Sequence, residues 1–416
     1  MSRPTKAAVL GGGALLAALL GQVVTACGGA QGVPRAEPRH GELRISIHGH
    51  SEGQRVDPGR PLEVTARGSG GRMTDVTVVD TFGRRLAGRL DADGTHWRAA
   101  TALAAATHYT VHVATEDDGE AMARRTLQFE TSPAGRVLSV RFGPGPGTYG
   151  VGQPITAKLG TPVRGARLRA LVEGALKVES SPAAEGAWHW VDDTTLHYRP
   201  RTYWPAHAVI QVRDELNGAP IADDLYGGET PPLVITTGAR IEAVVDAAAH
   251  SMTVRRDGTT VKTVPVTTGR PGFGTRNGVK VVLGREYVAR MRGASVGIPP
   301  DSPDAYDQSV RYAVRITLSG EYLHAAPWSQ GSQGHANVSH GCVGMGTRDA
   351  AWFFRTVREG DIVRVIHSHG KKMPAFGNGF GDWNLSWNQW RRGSALSERP
   401  TADPQPTGSG RLRPQL

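Results

Sequence analysis

The chain has 416 residues and only two cysteines, Cys27 and Cys342, so it is long enough for two or three domains but cannot be held together by a framework of disulfides. Its formal charge is +10 and falls to +8 if Arg3 and Lys6 leave with an N-terminal leader. The basic residues are scattered, which argues against a nucleic-acid-binding stripe and leaves either an attraction to anionic envelope polymers and lipid head groups or simply an Arg-rich proteome.

The first element is that leader. Arg3 and Lys6 precede an apolar Ala/Leu/Gly run that stops at Cys27, the charged and apolar regions of an export signal. A membrane-spanning helix is the alternative, but glycines and Gln22 dilute the run and polar, proline-rich sequence follows at once. Val24-Thr25-Ala26-Cys27 resembles a bacterial lipobox. That makes 1–26 a lipoprotein signal and Cys27 the lipidated residue, holding the protein on the outer face of the cytoplasmic membrane. Residues 27–42 read as a Gly/Pro/charged tether.

From 43 to 133, short β-type runs (LRISIH, LEVTARG, DVTVVD, YTVHVAT, RTLQFET) recur about every ten residues between Gly, Asp and Pro turns. This spacing predicts a small β-sandwich. A second unit over 137–238 has the same character, with LSVRF, PITAKLG, ARLRALVEG, TTLHYRP, AVIQVRD and PPLVITTG as its strands. Its aromatic cluster, Trp188, Trp190, Tyr198, Tyr203 and Trp204, offers either a carbohydrate platform or, as is commoner for such residues, core and edge packing.

A third unit over 239–369 begins with alternating apolar and polar residues around Asp257-Gly258, a hairpin signal. Strands VKVVLG, RYAVRITLSG and EYLHAA follow. Between them Arg285 to Ser309 is rich in Gly, Pro and Ser and reads as a long functional loop, a lid. One helix is expected after Cys342, with Thr347 as N-cap, an apolar face of Ala350, Phe353, Phe354 and Val357, and Gly360 at the C-terminal cap. Strand DIVRVIH closes the unit. Residues 370–396 form an aromatic extension laid back on a surface, and 397–416 a disordered Pro/Gly/Arg tail.

With Cys27 assigned to lipidation, Cys342 is an unpaired thiol in an exported protein, within Ser339-His340-Gly341-Cys342-Val343-Gly344-Met345. A nucleophilic thiol needs a base in reach and donors for the oxyanion it creates. The candidate bases are His324, His335, His340, His367 and His369. His340 shares a side with Cys342 if the stretch is extended, and His324 ends the strand EYLH. Gly341 permits a sharp turn and leaves its N–H, with that of Cys342, free to face a carbonyl. A zinc site from His335, His340 and Cys342 lacks a fourth ligand, a redox role lacks CxxC, and an inert buried cysteine sits poorly with the polar, glycine-flanked setting.

His324, fourteen intervening residues and then Ser339-His340-Gly341-Cys342 resembles the signature of the bacterial L,D-transpeptidases. GEYLHAAPWSQGSQGHANVSHGCVGM, REGDIVRVIH and GDWNLSWNQW resemble the actinobacterial lipoprotein members of that family. The resemblance implies a mainly β chain, with two immunoglobulin-like sandwiches before a β-rich catalytic domain with one main helix. It implies that Cys342 attacks a tetrapeptide stem, releases D-Ala as a thioester forms, and passes the acyl group to a diamino-acid amine of a second stem in a 3→3 cross-link. No cofactor or metal is called for. His324 would be the base and His340 would position a thiolate stabilised by imidazolium. Ala325, where the family often has serine, would orient His324 through its carbonyl. Met291, Tyr306, Ser319, Gly320 and Trp328 would contact substrate, and Gly344 stands where the motif commonly carries asparagine. Carbapenem β-lactams would be inhibitors. Two other readings remain open: hydrolysis of the same thioester, which makes an L,D-carboxypeptidase, and a non-catalytic envelope-binding lipoprotein. Sortases need an arginine on a strand soon after cysteine, whereas Arg348 opens the predicted helix, and papain-like enzymes place cysteine before histidine.

Overall fold

In the computed structural model, residues 43–48, 55–68, 71–117 and 120–397 are described. The leader, Cys27, the tether and the tail beyond Ser397 lie outside them. Among the described residues no helix is long and apolar enough to cross a membrane.

The first unit is a sandwich of two sheets. Four strands, Arg44–Ile47, Glu63–Arg67, His96–Ala99 and Gly88–Leu90, pair in that order, and Gly71–Asp80, His108–Asp117 and Glu120–Glu130 form the facing sheet. Alternate residues such as Val64, Trp97, Val78, Val111 and Val113 turn inward to one core, as period-two strands require. The second unit stacks two four-stranded sheets, with Trp188, Trp190, Tyr198 and Trp204 buried between them and Tyr203 packed at the edge. The aromatic cluster is therefore packing, not an exposed platform.

One expected strand of this unit is a helix. ARLRALVEG folds as Ala166–Ala175, where Leu168, Val172 and Ala175 meet the core at helical spacing. The apolar period of this segment is 3.6, not the 2 of a strand.

The third unit is built on a nine-stranded sheet. By first residue its strands run Gly278, Ile362, Ile241, Ser251, Thr259, Val343, Tyr322, Asp307, Gly284. Asp257 and Gly258 both have positive φ, 51° and 86°, and turn the hairpin between Ser251–Arg256 and Thr259–Thr267. Tyr322–Ala325 and Val343–Met345 are neighbours and parallel. Helix Thr347–Thr356 lays Ala350 and Phe353 on the sheet, with Phe354 only partly buried. Thr347 is the first helical residue, not the cap: the N-cap is Gly346, and the helix ends at Thr356 with Val357 extended. Gly360, at φ 88°, belongs to the following turn, where Gly152 N–H donates to its carbonyl (2.9 Å) and joins the second sandwich to the sheet.

The lid is shorter than expected. Gly284–Arg292 and Asp307–Arg315 are paired strands, with Ala289 and Met291 inward and Arg290 and Arg292 outward, so only 293–306 loops out. Gly293 N–H to Tyr306 O (2.8 Å) closes its base.

The extension from 370 crosses back onto the second sandwich. Trp390 is fully buried, its Nε1 donating to Ala187 O (2.9 Å). Ser386 and Gln389 form a reciprocal capping box for the short helix Trp387–Arg391.

Candidate active site

The parallel pairing sets the geometry. His324 is opposite Gly344, and Ala325 opposite Met345. Successive side chains of a strand alternate faces, so His324 shares one face with Gly344 and with Cys342 two residues earlier. Leu323, Ala325, Val343 and Met345 take the other face and join the core under the helix. Histidine and cysteine are thus diagonal neighbours across a strand pair, separated by a glycine that contributes no side chain. Both open on one cavity of about 230 Å³, also lined by Met291, Tyr306, Trp328 and His340.

His324 is 4% exposed. Its Nδ1 lies 2.9 Å from Ala325 O; a carbonyl only accepts, so Nδ1 carries the proton and Nε2 is the basic nitrogen. The Ala325 carbonyl therefore fixes the tautomer and orientation of the ring. Trp328, 56% exposed, stacks over the imidazole with centroids 5.9 Å apart. Burial lowers the imidazole pKa, opposed by the Ala325 carbonyl.

Cys342 Sγ sits 3.6 Å from Gly320 O and 4.0 Å from Met291 Sδ. Burial pushes the thiol up to about 12; a hydrogen bond from the Tyr322 backbone opposes the rise and the Glu321 carboxylate adds to it. Burial thus works against the expected thiolate–imidazolium pair from both sides, raising the thiol and lowering the imidazole. The Gly320 carbonyl and the Met291 thioether beside the sulfur do nothing for a negative charge, leaving the Tyr322 backbone to favour it, and His324 is itself too buried to hold a proton cheaply.

The turn before the thiol is tied down by hydroxyls. Gly341 has φ 120°, a region glycine enters freely. Ser339 Oγ donates to Cys342 O (2.6 Å) and accepts Gly341 N–H (3.1 Å), while Thr275 Oγ1 donates to Gly341 O (2.8 Å). The Gly341 N–H, expected to be free for an oxyanion, is therefore committed to Ser339 because the hydroxyl folds back over the turn. Ser339 and Thr275 were not singled out from the sequence; Ser339 stood in the motif itself, whereas Thr275 lies 67 residues before the cysteine with no local signal.

His340 is held between Phe273 and Tyr306, at centroid distances of 4.8 and 5.0 Å. Its Nε2 is buried without a hydrogen bond, 3.9 Å from Asp304 on the lid. Burial and then Arg270 lower its pKa, and Asp304 raises it. Asp304 also pairs with Arg270, tying the lid to the strand end.

Among the other expected residues, Met291 and Tyr306 reach the thiol cavity, whereas Ser319 lines a second cavity on the far side of Tyr306 and His340. Gly320 lines that second cavity and presents its carbonyl to Sγ. Ser319 N–H is taken by Asn378 Oδ1 (2.7 Å). Gly344 is crowded: a Cβ there would stand 2.9 Å from Ala326 Cβ and 3.0 Å from Thr267 Cγ2, so an asparagine does not fit without movement. Of the other candidate bases, His335 is exposed, His367 pairs with Asp246 (3.0 Å), and His369 lines the second cavity. Among the described residues no three His, Cys, Asp or Glu gather as a metal site, so the zinc alternative is not assembled.

Against known proteins, residues 240–365 match the model of the L,D-transpeptidase catalytic domain, and 53–220 match that of a bacterial Ig domain, which runs across both sandwiches. The chain is similar to L,D-transpeptidase 2 of Mycobacterium tuberculosis strain CDC 1551, 33% identical over 366 residues that cover 88% of each chain. The chain belongs to the L,D-transpeptidase family. It is an acyltransferase of the peptidoglycan cross-linking class. It is also 30% identical to L,D-transpeptidase 5 of M. tuberculosis H37Rv over 361 residues, 85% of this chain and 77% of that one. The solved structure of LD transpeptidase LdtMt1 in complex with imipenem aligns with 56% of this chain and 99% of that chain at 32% identity and a TM-score of 0.48.

Proposed function

We propose that this L,D-transpeptidase works through a Cys342 thioester and forms 3→3 cross-links. The observation that carries the reading is the diagonal placement of His324 and Cys342 on parallel strands across side-chain-free Gly344, facing one cavity. With both groups neutral at rest, His324 Nε2 takes the thiol proton as Sγ attacks the carbonyl of the stem's third residue. The sulfur–carbon bond forms, the bond to D-Ala breaks, and the proton returns to the leaving amine. In the second half the side-chain amine of another stem attacks the thioester, loses its proton to His324, and returns the thiol. His340 positions the sulfur from beneath the lid, and Met291, Tyr306 and Trp328 flank the entering peptide.

The leader and lipobox support export and lipidation at Cys27, with the sandwiches as spacers that carry the catalytic unit from the membrane into the wall. A carbapenem, whose strained carbonyl offers the same acyl group, tests the nucleophile. The expected result is a covalent adduct located by mass spectrometry on Cys342 and absent in Cys342→Ala. A folded, unmodified wild-type protein would sink the reading.

A further inference from the structure

Behind the thiol lies a charged cluster that the reaction as written does not use. Lys280 is 0% exposed and Glu321 5% exposed. Lys280 Nζ donates to Arg276 O and stands 3.7 Å from Glu321 Oε2. Glu321 Oε1 accepts the Arg276 N–H (2.8 Å) and its guanidinium (3.2 Å), while Oε2 has no hydrogen bond.

The neighbours of this cluster are the groups that hold the sulfur. Gly320, before Glu321, presents its carbonyl to Sγ; Tyr322, after it, bonds the thiol through its backbone. Thr275, before Arg276, holds the Gly341 carbonyl. One ion pair therefore joins both walls around Cys342. Stability alone does not account for it, since a buried pair is commonly matched or bettered by apolar residues of similar volume. Of the three, the Glu321 carboxylate bears on the thiol and raises it, and Lys280 and Arg276 are the cations that offset that charge.

We infer that Lys280, Glu321 and Arg276 are positioning residues for Cys342, acting through the Gly320–Tyr322 and Thr275–Gly341 walls and through the balance of charge behind the sulfur. This rests on Cys342 being the nucleophile. The other titratable groups facing the sulfur's cavity are Tyr306, His324 and His340, with Tyr322 beside the sulfur; His369 and Lys371 share the second cavity with Arg276 and Glu321. Burial lowers the Lys280 ammonium to about 8, with Glu321 opposing the fall, so below that pH both cations are present.

The test is the rate of Cys342 alkylation by iodoacetamide between pH 6 and 9 in the full chain, with folding checked by circular dichroism. Glu321→Gln, which removes the anion, should lift the log-rate line about tenfold; Lys280→Met should lower it by a similar factor below about pH 8, the effect of about one pH unit in the thiol, and by less above it, where the ammonium is already losing its proton. Arg276→Met, at a more exposed position, should lower it less and carries the cation arm if Lys280→Met does not fold. A purely structural role would slow all three or leave them alike, and either pattern overturns the inference. Failure of carbapenem acylation in the wild-type protein would instead defeat the nucleophile itself, so the two failures are distinguishable.

Discussion

Histidines ringed by aromatic side chains occur in two places among the described residues, and the two are finished differently. Where the C-terminal extension meets the second sandwich, His189 lies against Trp390 and Phe376, and His197 against Phe376 and Phe380. There His197 Nδ1 meets Asp382 at 2.7 Å, His189 Nδ1 meets Trp390 O at 2.8 Å, and the buried Arg199 spreads over Trp383, Trp387 and Trp390 while donating to Leu385 O. At the thiol cavity the rings are as close, but His340 Nε2 has no hydrogen bond and Sγ has only long contacts. The difference lies in the histidines rather than in every polar atom: both joint imidazoles are bonded by the chain itself, although Arg199 Nε and Asp382 Oδ2 there are buried without a hydrogen bond. At the cavity the imidazole nitrogen itself is left unbonded, at a cost in desolvation.

The comparison is broken most sharply at the cavity. Cys342→Ala should abolish acyl transfer, and His324→Ala should reduce it on the order of 10²–10⁴-fold for a lost general base, both with unchanged melting. His340→Ala should cost less. Product analysis by mass spectrometry with tetrapeptide stems reads all three, and a fully active His324→Ala would refute its role.

At the joint the effect should fall on stability. Trp390→Ala removes a fully buried indole and should cost about 3–5 kcal/mol, seen as a lowered denaturation midpoint, while carbapenem acylation of the folded fraction persists. Loss of acylation without loss of stability would mean that the joint is part of the site.

Gly344→Asn should place a Cβ into Ala326 and Thr267 and cost about 1–3 kcal/mol through overpacking, together with slower acylation because the new side chain enters the gap between His324 and Cys342. Faster acylation with unchanged stability would show that the site accommodates the residue common in the motif.

The smallest effect concerns pH. Asp361 is buried, with Oδ1 unpartnered, and burial pushes its carboxyl up to about 7 despite the Arg358 N–H bond. A folded pKa above the unfolded value means that the stability linked to this proton is full below about pH 4 and is lost as pH rises through about 7. Asp361→Asn should therefore raise the melting temperature at pH 8 and leave it nearly unchanged at pH 4. An equal change at both would show that the carboxyl does not titrate there.

The strand runs of all three units were legible because alternation is local: Ile241–Asp246 buries every second residue, and Asp257-Gly258 turns where its residue types demand. Helix Ala166–Ala175 was also written in the sequence, in the spacing of Leu168, Val172 and Ala175, but a surrounding rhythm of strands concealed it. The Ser386-Trp387-Asn388-Gln389 capping box announced the last helix in the same way. The lid is shorter than the Gly, Pro and Ser content of 285–309 predicts, because the alternation Ala289-Arg290-Met291-Arg292 within it is that of a strand.

What the sequence by itself determined was which groups are chemically able to act: a thiol in a glycine-flanked motif, a histidine ending a strand eighteen residues earlier, and glycines that let the chain turn between them. Only the tertiary structure decided that the two strands are parallel neighbours with His324 opposite Gly344, that Ser339 occupies the Gly341 amide, and that Lys280 and Glu321, 41 residues apart, close behind the sulfur. Reactivity of a side chain type is an intrinsic property carried by each residue. The charge a thiol meets, and the water it loses, depend on which distant segments pack around it, and no local pattern records that.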